Sequence, residues 1–252
     1  MLTNTRTKAL IPIKEYYFSD RLEDPTHREF VSIYIQAKQP LQGFRPFHSR
    51  ILSLDKSTTI LERGLSKSTL YKIRRAERSG VIAYFERDLG DPQLKEFKTF
   101  FDEFSKIKGI APCNASKLRG LARQNALIIS YATTAQGMKL VGHAYIVDHD
   151  LGRARLLYSA SHFRQVQTSA ERNAIGMANR LLHWQDILHC KNKGLIHYDL
   201  GGVATNSSDP QKRSIARFKS EFGGADLVEF NGYRFGIPLI SQIFSTLRRV
   251  AL

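Results

Sequence analysis

The sequence predicts an α+β (mixed α/β) protein in which a central, mostly antiparallel sheet is flanked by helices. Three observations lead there. Residues 126–159 hold three successive apolar runs separated by short turns, the pattern of an antiparallel meander. After it the order is helix, strand, helix, strand, so helices pack on the same sheet. Neither a GxGxxG turn nor a GxxxxGK[ST] loop occurs, which argues against a doubly wound nucleotide-binding domain.

The first 60 residues read least clearly, with a strand at Phe30–Gln36 and another around Arg50–Asp55. A helix over 66–79 follows. Ser66 is placed to cap it, Leu70, Ile73 and Ala76 recur at helical spacing, and Gly80 marks its end. Val81–Phe85 is a short strand. Asp91 and Pro92 then open a second helix as N-cap and first helical residue, with Leu94, Phe97, Phe101 and Phe104 as its apolar stripe and Gly109 as its stop. The meander strands are Ala126–Tyr131, Met138–Asp148 and Ala154–Ser159, turning at 135–137 and 150–152. A long helix at Ala170–Asn192 carries Ile175, Ala178, Leu181, Leu182, Gln185 and Leu188 near one face and closes at Gly194. Leu195–Leu200 resumes as a strand. Asp209-Pro210 starts a further helix with Ile215, Phe218 and Phe222, ended by Gly223-Gly224. A strand near Asp226–Phe230 and an amphipathic segment with Ile240, Ile243, Phe244 and Leu247 complete the chain.

Composition narrows the function. The 252 residues hold 38 Lys+Arg against 23 Asp+Glu, a net charge of +15, with 42% hydrophobic residues. The apolar content excludes a disordered or fibrous chain. The charge excess suits an anionic partner: nucleic acid, a phosphate-rich small molecule or a membrane surface. Two cysteines, Cys113 and Cys190, are too few for a disulfide framework, and no HExxH or CxxC spacing predicts a metal. The N-terminus lacks the apolar core of a signal peptide, and no run of 18 apolar residues occurs, so the expectation is a soluble, cytoplasmic protein.

Three segments carry chemistry. Lys67, Lys72, Arg74, Arg75 and Arg78 lie on the first helix, either as a solvated basic face or as a clamp for phosphate groups, where Arg binds in bidentate fashion. A nucleic-acid surface is the third option, without an RNP or helix-turn-helix pattern to accompany it. The strand Ile196–Leu200 runs into Gly201-Gly202, either a plain turn or the floor of a ligand cleft, and Asp199 on it needs a partner if buried. In the segment 214–224, Phe218 and Phe222 read as core, and Arg217 and Lys219 flank them. No GxSxG elbow appears, and nothing flags a Ser–His–Asp or Cys–His set. His183, His189 and His197 read as structural, and Cys190 as buried and inert.

Together the runs LSKSTLYKIRRAERSGV, LLHWQDILHCKNKG before IHYDLGG, and IARFKSEFGG resemble the Fem-type peptidoglycan aminoacyltransferases. They equally resemble the related acyltransferases encoded with surface-polysaccharide genes, all of the GNAT superfamily, over about residues 61–236 in order and spacing. The resemblance implies a GNAT-like fold whose sheet splays open to admit an acyl donor. In the Fem type that fold occurs twice. The strands from Ala126 match the second copy, so residues 1–110 would be a reduced first half with the basic helix 66–79, and 111–252 the acyltransferase half. The CoA-binding pattern [QR]xxGx[GA] is met only imperfectly at Arg172–Ala178, which has one residue too many between Arg172 and Gly176.

The implied activity is N-acyl transfer. An acyl or aminoacyl group passes from a thioester or ester to an amine on a nucleotide- or lipid-linked sugar or peptide, in cell-envelope or surface-polysaccharide synthesis. By the same resemblance Lys219 is the cation near the reacting centre and Asp199 its catalytic companion. Lys72, Arg74 and Arg75 would bind phosphates, and Tyr198, Gly201, Gly202, Arg217 and Phe218 would shape the substrate site. No metal and no tightly bound cofactor are expected. Acyl-CoA or aminoacyl-tRNA would be co-substrate, the partners being a phosphate-bearing donor and an amine acceptor. Arg248 and Arg249, with the apolar stripe before them, offer either a peripheral contact with the inner membrane surface or a helix docked on the sheet. The competing reading is a non-catalytic or tRNA-binding module on the same fold, with affinity that falls steeply with salt.

Overall fold

The computed structural model describes residues 1–8, 11–21, 31–205 and 207–235. The chain forms two compact units, residues 49–227 and residues 1–48 with 228–252. These cut the chain elsewhere than the 110/111 boundary read from the sequence, because a late strand pairs with an early one inside the smaller unit.

The larger unit holds the meander and all the helices among the described residues. Its strands are the end of β4 (Arg45–Ser53), then β5 (Ile82–Phe85), β6 (Leu127–Thr133), β7 (Lys139–Asp148), β8 (Arg153–Ser161) and β9 (His197–Gly202), in spatial order β4-β9-β8-β7-β6-β5. All neighbours are antiparallel except β8 and β9, so the sheet is mostly antiparallel, as expected. Its helices are α1 (Thr58–Arg63), α2 (Lys67–Arg78), α3 (Asp91–Lys108), α4 (Ala115–Arg123), α5 (Ser169–Asn192) and α6 (Pro210–Ser220). Caps fix their starts: the side chains of Ser57, Ser66, Asn114 and Asp209 each accept a backbone N–H from the first turn. Helix α3 begins one residue before the expected position, with Gly90 as N-cap and Asp91 already helical.

Side-chain alternation along the strands separates two packed faces. On one, Ile73 and Ala76 of α2 and Leu181, Trp184 and Ile187 of α5 bury Tyr145, Val147 and Tyr198. On the other, Phe97, Phe100 and Phe101 of α3 pack on Tyr131 and Tyr158. Gly142 on β7 keeps that second face close, since a Cβ there would lie 3.0 Å from the Tyr131 ring. A bulge in β8 changes the alternation: Tyr158 pairs with Ala144 and Leu156 with Tyr145, so Leu157 is an extra residue. Ala154 and Leu156 therefore face α5, Tyr158 faces α3, and beyond the bulge the odd-numbered Ser159 and Ser161 turn to the α5 side.

The smaller unit contains β1 (Leu2–Lys8), β2 (Ile11–Tyr17), β3 (Val31–Ala37) and the end of β10 (Ala225–Phe235), in that spatial order. β1 and β10 pair antiparallel with β2 and β3, whereas β2 and β3 run parallel. Tyr16 and Tyr34 stack at 4.9 Å in its core. Buried Glu15 is held by Arg6, Asn4 and the Tyr17 hydroxyl, with the hydroxyl at 2.6 Å. β10 runs on past Phe230 through a register shift, and Gly232 leaves the space that the Phe44 ring fills. The amphipathic segment from Ile240 and the pair Arg248 and Arg249 lie outside the described residues. Among those described, no helix is long and apolar enough to cross a membrane.

Candidate active site

The parallel pair β8 and β9 is where the sheet opens. Their ladder covers Arg153–Arg155 against His197–Asp199 and then ends, although β8 runs on to Ser161 and β9 to Gly202. The freed end of β8 forms one wall of a cavity of about 450 Å³, with Leu156, Ser159 and Ser161 facing Asn179 and His183 of α5 and Phe218 and Lys219 of α6. A second cavity of about 620 Å³ lies beside the start of α5, lined by Tyr71, Lys72 and Arg75 of α2 and Arg172 and Arg180 of α5. The two share Phe163, Gly176 and Arg180. Two cations from each helix make the second cavity a basic pocket with an exposed aromatic ring at its edge.

Lys219 reaches its place from the last turn of α6. Its Nζ donates to the Gly202 carbonyl at 2.6 Å, which ties α6 to the end of β9. Burial lowers its pKa to about 8, partly countered by the charge of Asp199. Asp199 is fully buried: Arg153 donates to it at 2.5 Å and the Gly201 N–H at 2.7 Å. Gly201 adopts φ +76°, and a Cβ there would sit 3.2 Å from the Leu156 carbonyl, so this turn needs glycine.

Glu221 draws the motif segments together. Its carboxylate accepts from Arg180 at 2.7 Å and from Thr69 of α2 at 3.0 Å, and its carbonyl accepts the Ser66 N–H. Arg180 also lies over the Phe218 ring, 4.9 Å from its centroid. Gly223 and Gly224 then pass so close to Gly64 and Ile51 that a Cβ would come within 2.9 and 2.4 Å of their carbonyl oxygens.

No protein-family model and no curated protein matches the chain. Solved structures do. FemX matches with a TM-score of 0.66 at 11% identity, over 96% of this chain and 86% of that one. The L-PGS from Bacillus licheniformis matches with 0.57 at 13% identity, over 98% and 84%. The C-terminal domain of a putative lysylphosphatidylglycerol synthetase from Agrobacterium fabrum gives 0.55 at 10% identity, over 96% and 82%. The chain has a Fem-like fold.

On this Fem-like frame the expected site residues divide. Lys219, Phe218, Lys72 and Arg75 line the two cavities, and Gly201 and Gly202 form the turn that Lys219 meets. Arg74 points elsewhere and pairs with Glu62 at 3.1 Å on the surface. Arg217 is exposed and lines neither cavity. Asp199 and Tyr198 are both fully buried and line neither cavity.

Residues that the sequence reading passed over sit in the same place. His183, read as structural, lines the cleft and belongs to a buried polar group around Asp186. Ser130 donates to Asp186 at 2.6 Å, Tyr145 at 2.6 Å and His143 Nδ1 at 2.7 Å. Tyr145 and Tyr198 share a hydrogen bond of 2.7 Å, and His183 Nδ1 is 2.8 Å from the Tyr198 hydroxyl. His143 Nε2 lies 3.0 Å from Asn179 Oδ1. The sequence signal was Asn179, His183 and Asp186 at i, i+4 and i+7, a polar stripe on an otherwise apolar helix face. Ligand atoms of His143, His183 and Asp186 come within 4.8 Å of one another, close enough to share a metal ion. In this arrangement they are already engaged with one another and with Tyr145, Tyr198 and Asn179.

Proposed function

We propose that this protein is an N-acyltransferase that moves an acyl or aminoacyl group from a thioester or ester to the amine of a nucleotide- or lipid-linked sugar or peptide. The observation that carries the reading is the cleft at the β8/β9 opening, with Lys219 on its wall and the basic pocket adjoining it. Lys72, Arg75, Arg172 and Arg180 suit the phosphates of a donor such as aminoacyl-tRNA or acyl-CoA, with the reacting carbonyl in the cleft. Lys219 stabilises the oxyanion or the leaving group as it gains charge. Its hydrogen bond to Gly202 and the buried Asp199–Arg153 pair behind that turn hold the ammonium in place. Cell-envelope or surface-polysaccharide synthesis in the cytoplasm supplies acceptors of this kind and forms part of the proposal.

The starting helix turn of α5 bears on the donor. Thr168 and Glu171 form a capping box there, so a carboxylate already occupies the end of the helix where a pyrophosphate would otherwise gain from free N–H groups. This favours a donor whose phosphates are held by side chains, as the basic pocket provides.

The test offers the protein aminoacyl-tRNA or acyl-CoA together with amine-bearing nucleotide- or lipid-linked acceptors and follows the acceptor by mass spectrometry. A gain of one acyl mass that disappears with Lys219→Ala supports the proposal. Salt-sensitive tRNA binding with no acylated product would instead support the binding-module reading.

A further inference from the structure

We propose that His183 is the proton acceptor of the cleft and that Tyr198, Tyr145 and Asp186 form a one-way hydrogen-bonded relay behind it. The relay rests on the acyltransfer reading above and deepens it. Direction follows from the donors. Asp186 as a carboxylate can only accept, so the Tyr145 hydroxyl spends its proton on Asp186 Oδ2 at 2.6 Å. The Tyr145 oxygen is then free to accept, and the Tyr198 hydroxyl donates to it at 2.7 Å. With the Tyr198 proton used, its oxygen accepts from His183 Nδ1–H at 2.8 Å. Neutral His183 therefore carries its proton on Nδ1. Nε2 is left with a lone pair, and it makes no hydrogen bond among the described residues.

The surroundings fit that assignment. His183 lines the cleft beside Phe218 and Lys219, whereas Tyr145, Tyr198 and Asp186 are closed off beneath it. The charged and titratable groups facing His183 are His143 from β7, Lys219 from α6 and Arg180 from its own helix; with burial they hold it well below the usual histidine range. It is thus a neutral acceptor at pH 7. Ser130 on Oδ1 and His143 Nδ1 on Oδ2 complete the shell of Asp186. The other ring nitrogen of His143, Nε2, lies 3.0 Å from Asn179 Oδ1.

The proton count closes. The amine nitrogen attacks the donor carbonyl, forming the N–C bond, and its proton passes to His183 Nε2. Nδ1–H moves to Tyr198, the Tyr198 proton to Tyr145, and the Tyr145 proton to Asp186. When the carbon–oxygen or carbon–sulfur bond breaks, the proton returns along the same chain and leaves Nε2 for the departing oxygen or sulfur. His183 is the catalytic residue; Tyr198, Tyr145 and Asp186 act through it.

Two measurements test this, and the first needs no substrate. Nitrogen-15 NMR of the histidine rings at pH 7, assigned with His183→Gln, should show His183 as the Nδ1–H tautomer. An Nε2–H tautomer would overturn the relay whatever the activity. The second compares Tyr198→Phe and Tyr145→Phe, which keep the rings and break the relay. Each should lower kcat by roughly 100-fold with KM unchanged. Each should also bend the pH–rate profile, so that the loss shrinks as pH rises and hydroxide replaces the buried acceptor. Turnover in the wild type with both Phe variants folded and equally fast would sink the relay and leave the acyltransfer reading standing.

Discussion

Lys219 offers the most exacting test, because its position makes a prediction about both rate and pH. The side chain lies at the mouth of the β8/β9 opening, with Nζ 2.6 Å from the Gly202 carbonyl, and burial brings its pKa down to about 8. Removing one preorganised donor from a developing oxyanion slows catalysis by roughly 100- to 1,000-fold, so Lys219→Ala should lose that much in kcat with little change in donor KM. The pH dependence is sharper. A lysine that must be charged loses its contribution as pH rises through its own pKa. At pH 9 about one molecule in ten would retain the ammonium, so the wild-type rate should fall about tenfold from its plateau. Lys219→Arg keeps its charge throughout this range, and the alkaline limb should vanish even if the plateau is lower. Initial rates of acyl transfer from pH 6 to 9.5 for the three proteins decide the matter. An alkaline limb near pH 8 that survives in Lys219→Arg would show that another group titrates there.

Three further outcomes follow from the geometry. Lys72→Ala with Arg75→Ala should raise the KM for a phosphate-bearing donor several-fold at nearly constant kcat, and flatten its dependence on salt, read from steady-state kinetics at increasing NaCl. Gly224→Ala should destabilise the protein by at least about 2 kcal/mol, visible in urea midpoints, because the residue has φ +77° and its Cβ would lie 2.4 Å from the Ile51 carbonyl oxygen. His183 remains neutral in the fold but takes up a proton once unfolded, so stability should decline as pH drops below about 6.5. That decline contributes at most about 1.4 kcal/mol per pH unit, and His183→Gln should reduce the slope of the urea midpoint between pH 6.5 and 5.

Much of the larger unit was legible in the sequence because local signals agreed with tertiary ones. The meander turns occur where glycine permits them, Ser66 and Asp209 cap their helices, and the apolar stripe of α3 meets the sheet as its spacing requires. β1 and β2 were not legible. Their strand pattern runs through Thr3, Thr5, Thr7 and buried Glu15, and β2 pairs with β3, whose other edge is held by β10 from the far end of the described chain. Short α1 and α4 lack long apolar stripes, and only their Ser57 and Asn114 caps announce them. In the site, the glycine pair and Lys219 could be found from motifs. The division of the basic helix could not: Lys72 and Arg75 face the pocket and Arg74 faces Glu62, a choice set by where α5 packs. In sequence His183 reads as a lone structural histidine; its place on the cleft wall and its bond to Tyr198, itself bonded to Tyr145, involve two other strands that the helix pattern does not show.

Asp199 is a motif residue that the fold buries completely beside the cleft. The sequence placed it at the end of an apolar strand beside two glycines, where a carboxylate needs a partner. Its partners include Arg153 from the neighbouring parallel strand and the Gly201 N–H. The first bond runs diagonally along the β8/β9 ladder, from Arg153 at its first rung to Asp199 at its last, just before the opening. The second fixes Gly201 at positive φ and thereby sets the Gly202 carbonyl that receives Lys219. The same charge works against the burial that lowers the Lys219 pKa, so Asp199 supports the ammonium by geometry and by field together. Removing its charge should therefore lower the Lys219 pKa further and draw the alkaline limb to lower pH, while Arg153, buried beside a neutral side chain, would destabilise the fold. Within the cleft, the strand opening and the cation thus share one buried carboxylate at the point where two parallel strands part.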